Sequence, residues 1–253
     1  MPEIIISVQH LSKKYGAFEA VKDISFEVNK GEIFGILGPN GAGKTSTLEI
    51  IETLRPKTSG KIFVKNLDLD THQTQIKKII GIQLQSAGFY PKLTCTEVLN
   101  MFGVLYSVSV NAKDLLAKVE LTDKAKVEVS KLSGGQQQRF SIATTLVNSP
   151  EIIFLDEPTT GLDPQARIHL WELIQNIRAT GTTIVMTTHY MEEAQKLCDR
   201  VAIMDNGVIL KLDTPKQLIQ DLVDTGFHGS QTIQQADLED VFLHLTGKNL
   251  RDT

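Results

Sequence analysis

The stretch GPNGAGKT, residues 38–45, restricts the possible folds of this chain more than any other feature. It fits the pattern G-x-x-x-x-G-K-[ST] and lies between a short apolar run, EIFGIL, and a helix-like segment, TSTLEIIETL. In this context glycines let backbone N–H groups approach phosphate oxygens, and the helix N-terminus adds partial positive charge. Lys44 can then reach the outer phosphates, and Thr45 can hold Mg²⁺. The stretch therefore predicts a phosphate-binding loop, or P-loop, where a buried strand meets a helix.

Three further apolar runs predict more strands of the same sheet: IIFLDE (152–157), TIVMTT (183–188) and VAIM (201–204). Helix-like segments alternate with them, and QARIHLWELIQNIRAT has Asp163 as N-cap and Pro164 at its first position. Alternating strands and helices favour a mostly parallel sheet. The predicted fold class is therefore α/β, with a P-loop NTPase core of the RecA-like type.

Two segments depart from this pattern. The N-terminal region alternates apolar and polar residues in two pieces, which predicts an antiparallel β subdomain with one face in water. The block between the first and later strands is mainly helical, with a capping box at Thr94 and Glu97, and predicts an inserted helical subdomain. Near the end, Asn206-Gly207 predicts a two-residue hairpin turn. We expect one domain over residues 1–224, with the core at about 1–85 and 151–215, the helical subdomain at about 86–150, and a short C-terminal extension at 225–253.

Asp156 and Glu157 are expected at the carboxyl end of the strand IIFLDE, where open α/β sheets bind ligands. Neighbouring residues of a strand face opposite ways, so the two carboxylates are expected to have different roles. Asp156 suits Mg²⁺ coordination through water, and Glu157 suits polarisation of an attacking water. Capping of the following turn, EPTTGLD, is the structural alternative for Glu157.

Composition excludes several classes of protein. The 253 residues carry a net charge of −4 with a pI near 5.9, which gives no whole-chain footprint for nucleic acid or an anionic membrane. The two cysteines, Cys95 and Cys198, indicate no disulfide framework and fit a reducing compartment. The N-terminus has no basic region, and no apolar run approaches ~18 residues, so we expect neither a signal peptide nor a transmembrane segment.

The stretch KLSGGQQQRF, residues 131–140, has no side chain for acid–base or nucleophilic chemistry. It nevertheless places two glycines in the first turn of a predicted helix, where each costs roughly 1 kcal/mol relative to Ala. Ser133 and Gln136 fit a capping box, which does not explain the glycines. With this stretch, the chain resembles a nucleotide-binding subunit of the ATP-binding cassette (ABC) transporters over nearly its whole length. The resemblance is carried, in order, by Tyr15, GPNGAGKT, Gln85, LSGGQQQR, IIFLDEP, GLDP and TTHY.

The resemblance implies roles for single residues. Tyr15 matches the aromatic residue that stacks on adenine, and a strand-edge aromatic is its structural alternative. Gln85 matches the glutamine that links the Mg²⁺ and water site to the helical subdomain. The family often has Pro or Phe before this glutamine, whereas this chain has Leu84, and Gln83 would face the same side of a strand. His189 matches the switch histidine that contacts the γ-phosphate and positions the attacking water.

In this family two subunits bind head to tail, and each ATP lies between the P-loop of one and the LSGGQ segment of the other. The resemblance therefore implies Glu157, His189 and Gln85 as catalytic residues. The groups it implies at Mg²⁺ are Thr45, Gln85 and Asp156. The implied ATP-binding residues are Tyr15, Gly38, Pro39, Asn40, Gly41, Ala42, Gly43, Lys44, Thr45 and Ser46, with Ser133, Gly134, Gly135 and Gln136 acting on the partner's ATP and Asp163 in the loop that crosses between subunits.

The runs GIQLQSAGFYPKLT, TTHYMEEAQKLCDRVAIMDNG and LEDVFLHLTG resemble the bacterial exporter branch that handles drugs, antibiotics or cell-surface polymers and lipids. The resemblance implies an ATPase that uses ATP and Mg²⁺ and pairs with a second nucleotide-binding subunit. It also implies a separate integral membrane permease, a peripheral location on the cytoplasmic face of the membrane, and no nucleic-acid partner. Phe89 and Tyr90 are candidate contacts with the permease. The alternative is a soluble ABC ATPase of a cytosolic assembly machine without a permease.

Overall fold

The structure, a computed structural model, describes residues 3–83, 88–89, 92–226, 241 and 244–245. In this part of the chain the strands are β1 (Ile4–Tyr15), β2 (Phe18–Asn29), β3 (Ile33–Leu37), β4 (Ser59–Val64), β5 (Leu67–Asp68), β6 (Ile80–Gln83), β7 (Ile152–Asp156), β8 (Thr183–Thr188), β9 (Arg200–Asp205) and β10 (Val208–Asp213). The helices are α1 (Lys44–Ile51), α2 (Gln73–Ile79), α3 (Cys95–Tyr106), α4 (Ala112–Lys118), α5 (Gly134–Thr145), α6 (Pro164–Ala179), α7 (Met191–Leu197) and α8 (Pro215–Asp224).

Two sheets form the framework of the described chain. The first is antiparallel, in the order β2-β1-β4-β5, and contains the predicted N-terminal hairpin. The second, in the order β10-β9-β3-β8-β7-β6, is parallel except for β10. Strand β10 returns from β9 through Asn206 and Gly207, whose φ angles of 48° and 82° suit a type I′ turn. The predicted α/β fold with an antiparallel subdomain is confirmed, although the sequence analysis missed β4, β5 and α2.

The parallel sheet is buried on both faces. Along β3, Ile33 and Leu37 belong to a core shared with the helices α3 to α6, whereas Phe34 and Ile36 belong to a second core shared with α1 and the first sheet. A strand covered on both faces needs apolar residues at every position. This explains why β3 is an uninterrupted apolar run, and the P-loop therefore starts from a strand that is packed on both faces.

The predicted helical block contains α3, α4 and α5, and the capping box at Thr94 and Glu97 is formed at the start of α3. Its boundaries near residues 86 and 150 remain a prediction. Most of the predicted C-terminal extension, residues 227–240, 242–243 and 246–253, lies outside the described residues. Within it, Val241 is buried in the same core as Leu218 and Leu222 of α8.

The helix that follows the P-loop ends at a buried carboxyl group. Helix α1 ends at Ile51, short of the predicted Leu54, and Thr53 has a φ of 65°, which a right-handed helix does not accommodate. Glu52 is 1% exposed, and its Oε1 has no hydrogen-bond partner among the described residues. Burial, with a smaller effect of Asp156, raises the pKa of Glu52 to about 8. The carboxyl group is therefore mostly neutral at neutral pH.

Replacing Glu52 by Gln should remove a pH-dependent loss of stability. The folded state holds the carboxyl proton more tightly than the unfolded chain, so the contribution of Glu52 to the free energy of unfolding falls from about pH 4.5 to about pH 8 and is constant above pH 8. The difference in the free energy of unfolding between the variant and the wild type should therefore be about 3 kcal/mol more favourable to the variant near neutral pH than in acid. Urea unfolding at a series of pH values measures this gain, and a stability difference that does not grow with pH would contradict it.

Candidate functional site

The P-loop is closed around the ammonium group of Lys44. Lys44 begins α1, is 4% exposed, and donates hydrogen bonds from Nζ to the carbonyl oxygens of Gly38 at 2.8 Å and Pro39 at 3.0 Å. Gly43 precedes it with a φ of 102°, and a Cβ there would come within 2.5 Å of a backbone oxygen, so only glycine fits. Burial lowers the pKa of Lys44, an effect that neighbouring carboxylates oppose.

A cleft of about 240 Å³ opens beside the P-loop. Tyr15, at the end of β1, is 40% exposed, and its hydroxyl lies 3.4 Å from Ser46 Oγ. Lys13 Nζ lies 4.8 Å from the centroid of the Tyr15 ring. The lining residues are Tyr15, Phe18, Ala20, Asn40, Gly41, Gly43, Lys44, Thr45, Ser46 and Glu157. The structure thus brings Tyr15 and the P-loop to one cleft, and it adds Phe18 and Ala20, which the sequence analysis missed because alternation in β2 marks them only as strand residues.

Asp156 ends β7 beside the start of α1. It is 6% exposed, and its Oδ1 and Oδ2 lie 3.3 and 3.2 Å from Thr45 Oγ1, which donates to them. It also accepts a hydrogen bond from Thr187 Oγ1. Burial raises the pKa of Asp156, and the two hydroxyl groups oppose the rise. A hydroxyl and a carboxylate in contact supply the hard oxygen donors that suit Mg²⁺.

Glu157 follows with a left-handed backbone, at a φ of 47°, and contacts other groups than Asp156. Its Oε1 lies 3.4 Å from Lys44 Nζ, and its Oε2 lies 3.2 Å from His189 Nδ1. Thr160 Oγ1 also donates to Oε2 at 3.2 Å, so the side chain supports the following turn as well. Burial raises the pKa of Glu157, but Lys44 and His189 together more than offset it, and the pKa lies below its ordinary value. Glu157 is therefore an ionised carboxylate between Lys44 and His189, the residue that follows β8.

The LSGGQ segment forms the start of α5 and is not among the residues that line this cleft in the described chain. Ser133 Oγ accepts from the Gln136 N–H at 3.4 Å, and Gln136 Oε1 accepts from the Ser133 N–H at 3.0 Å, so the capping box is formed. Ser133 and Gly134 are exposed. A Cβ on Gly134 would meet no atom within 4 Å, whereas one on Gly135 would lie 3.2 Å from Ala166 Cβ. Nothing in the described chain requires glycine at position 134.

Two other predicted site residues lie apart from the cleft or outside the description. Asp163 is exposed and accepts a hydrogen bond from the Ala166 N–H at 2.9 Å, as the N-cap of α6. Gln85 lies outside the described residues. Gln83, the last residue of β6, is 2% exposed, and its Oε1 has no hydrogen-bond partner among the described residues.

Of the two candidate permease contacts, Tyr90 lies outside the described residues and Phe89 lies within them. The Phe89 ring packs edge-on against Phe140 of α5, with ring centroids 5.3 Å apart. Phe89 therefore has a packing partner within its own chain.

Comparison with known proteins identifies the family. The family model described as ABC transporter matches residues 21–160. The linearmycin resistance ATP-binding protein of Bacillus subtilis is 39% identical over 219 residues, which cover 85% of this chain and 70% of that protein. The Nod factor export ATP-binding protein I of Ralstonia nicotianae is 38% identical over 220 residues, which cover 85% of this chain and 68% of that protein. The daunorubicin resistance ATP-binding protein of Streptomyces coeruleorubidus is 37% identical over 218 residues, which cover 84% and 68%.

Solved structures agree with this assignment. The ATP-binding subunit of an ABC transporter superposes with a TM-score of 0.81 at 27% identity, over 96% of this chain and 99% of that one. A dimeric ATP-binding cassette in a post-hydrolysis state, bound to ADP and Pi, superposes with a TM-score of 0.74 at 28% identity, over 83% of this chain and 98% of that one. The fold and the cleft define a P-loop ATPase.

The chain belongs to the ABC transporter family. It is an ATP-binding and ATP-hydrolysing subunit of the exporter-type transporters, as the sequence predicted, and cassettes of this kind dimerise. Within the described ranges of the chain, no helix combines the length and the apolar character that a bilayer crossing needs.

Proposed function

We propose that two subunits pair head to tail, so that the P-loop of one and the LSGGQ segment of the other hold the same ATP. The observation that carries this proposal is the exposed N-terminus of α5, which lies outside the cleft of its own chain. The capping box uses the N–H of Gln136, while those of Gly134 and Gly135 lie at a helix N-terminus, where anions bind. A glycine that its own chain does not require is explained if a phosphate approaches the backbone at that point.

The cleft residues then divide the work of hydrolysis. Lys44 and the P-loop N–H groups bind the phosphates, and Tyr15 stacks on the adenine. Glu157 polarises the attacking water, and His189 contacts the γ-phosphate. Thr45 and Asp156 hold Mg²⁺, which stabilises charge on the transferred phosphoryl group when it is bound. The family resemblance adds Gln85 to the residues proposed at the Mg²⁺ and water site.

The contacts of Glu157 suggest how ATP binding prepares the site. Glu157 and the P-loop carbonyl groups share Lys44, and the phosphates of ATP would compete with Glu157 for the same ammonium group. Phosphates carry more charge than one carboxylate, so they displace it. The displaced carboxylate remains beside His189 and is then available to the attacking water.

The pairing and separation of subunits would drive an integral membrane permease on a separate polypeptide, with this chain on the cytoplasmic face of the membrane. The support is the resistance and export roles in the names of the relatives. By analogy with them, the exported compound would be an antibiotic or another compound that the cell exports.

Two measurements test the proposal. Hydrolysis per chain should rise with the concentration of the purified chain and should stop when Mg²⁺ is chelated; full hydrolysis by a chain that light scattering shows to be monomeric in Mg·ATP would exclude pairing. The chain, purified with a tag from membranes of its source cells, should bring with it a protein with several membrane spans. A soluble partner in its place would favour the cytosolic assembly machine instead.

A further inference from the structure

Glu193, in the first turn of α7, is a fully buried carboxylate outside the cleft. It is 0% exposed, and its Oε1 accepts a hydrogen bond at 3.0 Å from the indole N–H of Trp171 in α6. Its Oε2 has no hydrogen-bond partner of normal geometry among the described residues. A buried polar group costs free energy unless its hydrogen bonds are satisfied, and a leucine would pack in its place at a smaller cost. The carboxylate therefore needs an explanation beyond packing.

The groups that adjoin Glu193 belong to two segments of the catalytic site, the one that carries His189 and the one that follows Glu157. Burial raises its pKa, and the hydroxyl groups of Thr188 and Thr159 and the Trp171 N–H oppose the rise. Thr188 ends β8 immediately before His189, and its Oγ1 accepts from the Tyr190 N–H at 2.9 Å, which leaves the hydroxyl proton for Glu193. Glu193 thus supports the backbone that carries the switch histidine.

Thr159 lies in a second segment of the site, the loop of residues 158–163, which follows Glu157 and ends at Asp163. It is 0% exposed, and its Oγ1 lacks a hydrogen-bond partner of normal geometry among the described residues, as does Glu193 Oε2. A buried donor and a buried acceptor that lie side by side without a good hydrogen bond are both left unsatisfied, which destabilises this arrangement. A small movement of the loop would let Thr159 donate to Glu193.

A positive charge on the neighbouring helix α6 also acts on Glu193. Arg167 of α6 lies close enough to lower the pKa of Glu193, and its guanidinium carbon lies 4.5 Å from the centroid of the Tyr190 ring. The segment of residues 188–190 therefore adjoins Glu193 through Thr188 and Arg167 through Tyr190.

We propose that Glu193 is a positioning residue for ATP hydrolysis, which sets His189 and the loop of residues 158–163 in register through Thr188 and Thr159. The inference rests on the proposed function, because that loop carries Asp163 towards the second subunit. Glu193 is buried and is not among the residues that line the cleft, so the proposal gives it no contact with the nucleotide or the attacking water. Its loss should therefore lower kcat and leave ATP binding by the single subunit intact.

The test uses the full chain with four single variants and one double variant, which combines Glu193→Met with Thr159→Val. Glu193→Met keeps the volume and removes both acceptor oxygens, and Glu193→Gln keeps one acceptor for Trp171. Thr159→Val removes only the hydroxyl of the loop. Trp171→Phe is the matched control, because it removes the indole N–H but leaves Glu193 and Thr159 in place. Trp171 is the one tryptophan of the sequence, so its emission spectrum reports whether this region stays folded in the other three variants.

We expect kcat to fall about tenfold in Glu193→Met and Thr159→Val, with the dissociation constant for ATP within about twofold of wild type. The double variant should be no slower than Glu193→Met alone, because both changes remove one interaction. Glu193→Gln should recover part of the rate, and Trp171→Phe should stay within about twofold of wild type.

Either of two results would overturn the inference. A folded Thr159→Val variant with wild-type kcat would show that the loop does not depend on Glu193. A Trp171→Phe variant as slow as Glu193→Met would show that the carboxylate only fastens α7 to α6. Full hydrolysis by a wild-type chain that stays monomeric in Mg·ATP would contradict the proposed function, and this result is separable from the other two.

Discussion

Replacing Glu157 by Gln is expected to lower the rate of ATP hydrolysis by about 100-fold or more while ATP binding is retained or tightened. Glutamine has the same size but cannot accept a proton from the attacking water. It also cannot form the ion pair with Lys44, so the ammonium group becomes more available to the phosphates. Single-turnover phosphate release measures the chemical step, and size-exclusion chromatography in Mg·ATP measures pairing. The variant should accumulate as an ATP-bound dimer.

The matched control is Glu192→Gln, which removes the same charge from an exposed position of α7, where Glu192 pairs with Lys196 at 2.7 Å. Its hydrolysis should be within about twofold of wild type, since an exposed pair contributes little. A Glu157→Gln chain that stays strictly monomeric in saturating Mg·ATP would count against the assignment of Glu157 to the water-activating position.

The second large effect is expected for Ser133→Arg at the start of α5. Ser133 is exposed and lies outside the cleft of its own chain, so the single subunit should bind ATP with a dissociation constant within about twofold of wild type. In the paired state the long side chain would block the phosphate from the N-terminus of α5, and turnover should fall by about 100-fold. Loss of the N-cap should lower stability by about 1 kcal/mol, which is too little to explain such a loss of rate.

Two comparisons sharpen this prediction. Lys44→Ala should abolish ATP binding in the single subunit, because Lys44 lies in the cleft itself. Gly134→Ala should raise the stability of the chain by about 1 kcal/mol, since the added methyl group has room and Ala favours a helix, and should still lower turnover. Loss of ATP binding in the isolated Ser133→Arg subunit would show that the segment acts on the ATP of its own chain.

The features that the sequence predicts best are those whose conformation is determined by residues that are neighbours along the chain. The P-loop, the Asn206-Gly207 turn and the capping boxes at Thr94 and Ser133 each depend on a few consecutive residues. Their local φ angles and hydrogen bonds follow directly from residue type. Strand β5 and helix α2 were missed because they lack such local signals. Strand β5 spans two residues, and α2 has no side-chain cap to mark its start.

The sequence by itself determined the fold class, the P-loop, and the family whose ordered motifs the chain contains. Only the tertiary structure decided which distant groups meet: Thr45 with Asp156, Lys44 with Glu157, and Glu193 with Trp171. These contacts depend on the order of strands in the sheet and on the packing of helices against both of its faces. Periodicity predicts which face of an element is apolar, but not which other element covers it. The exposure of Ser133 and the space around Gly134 are likewise properties of the packed chain, and they support the proposal that a phosphate held by a second subunit approaches the backbone at this point.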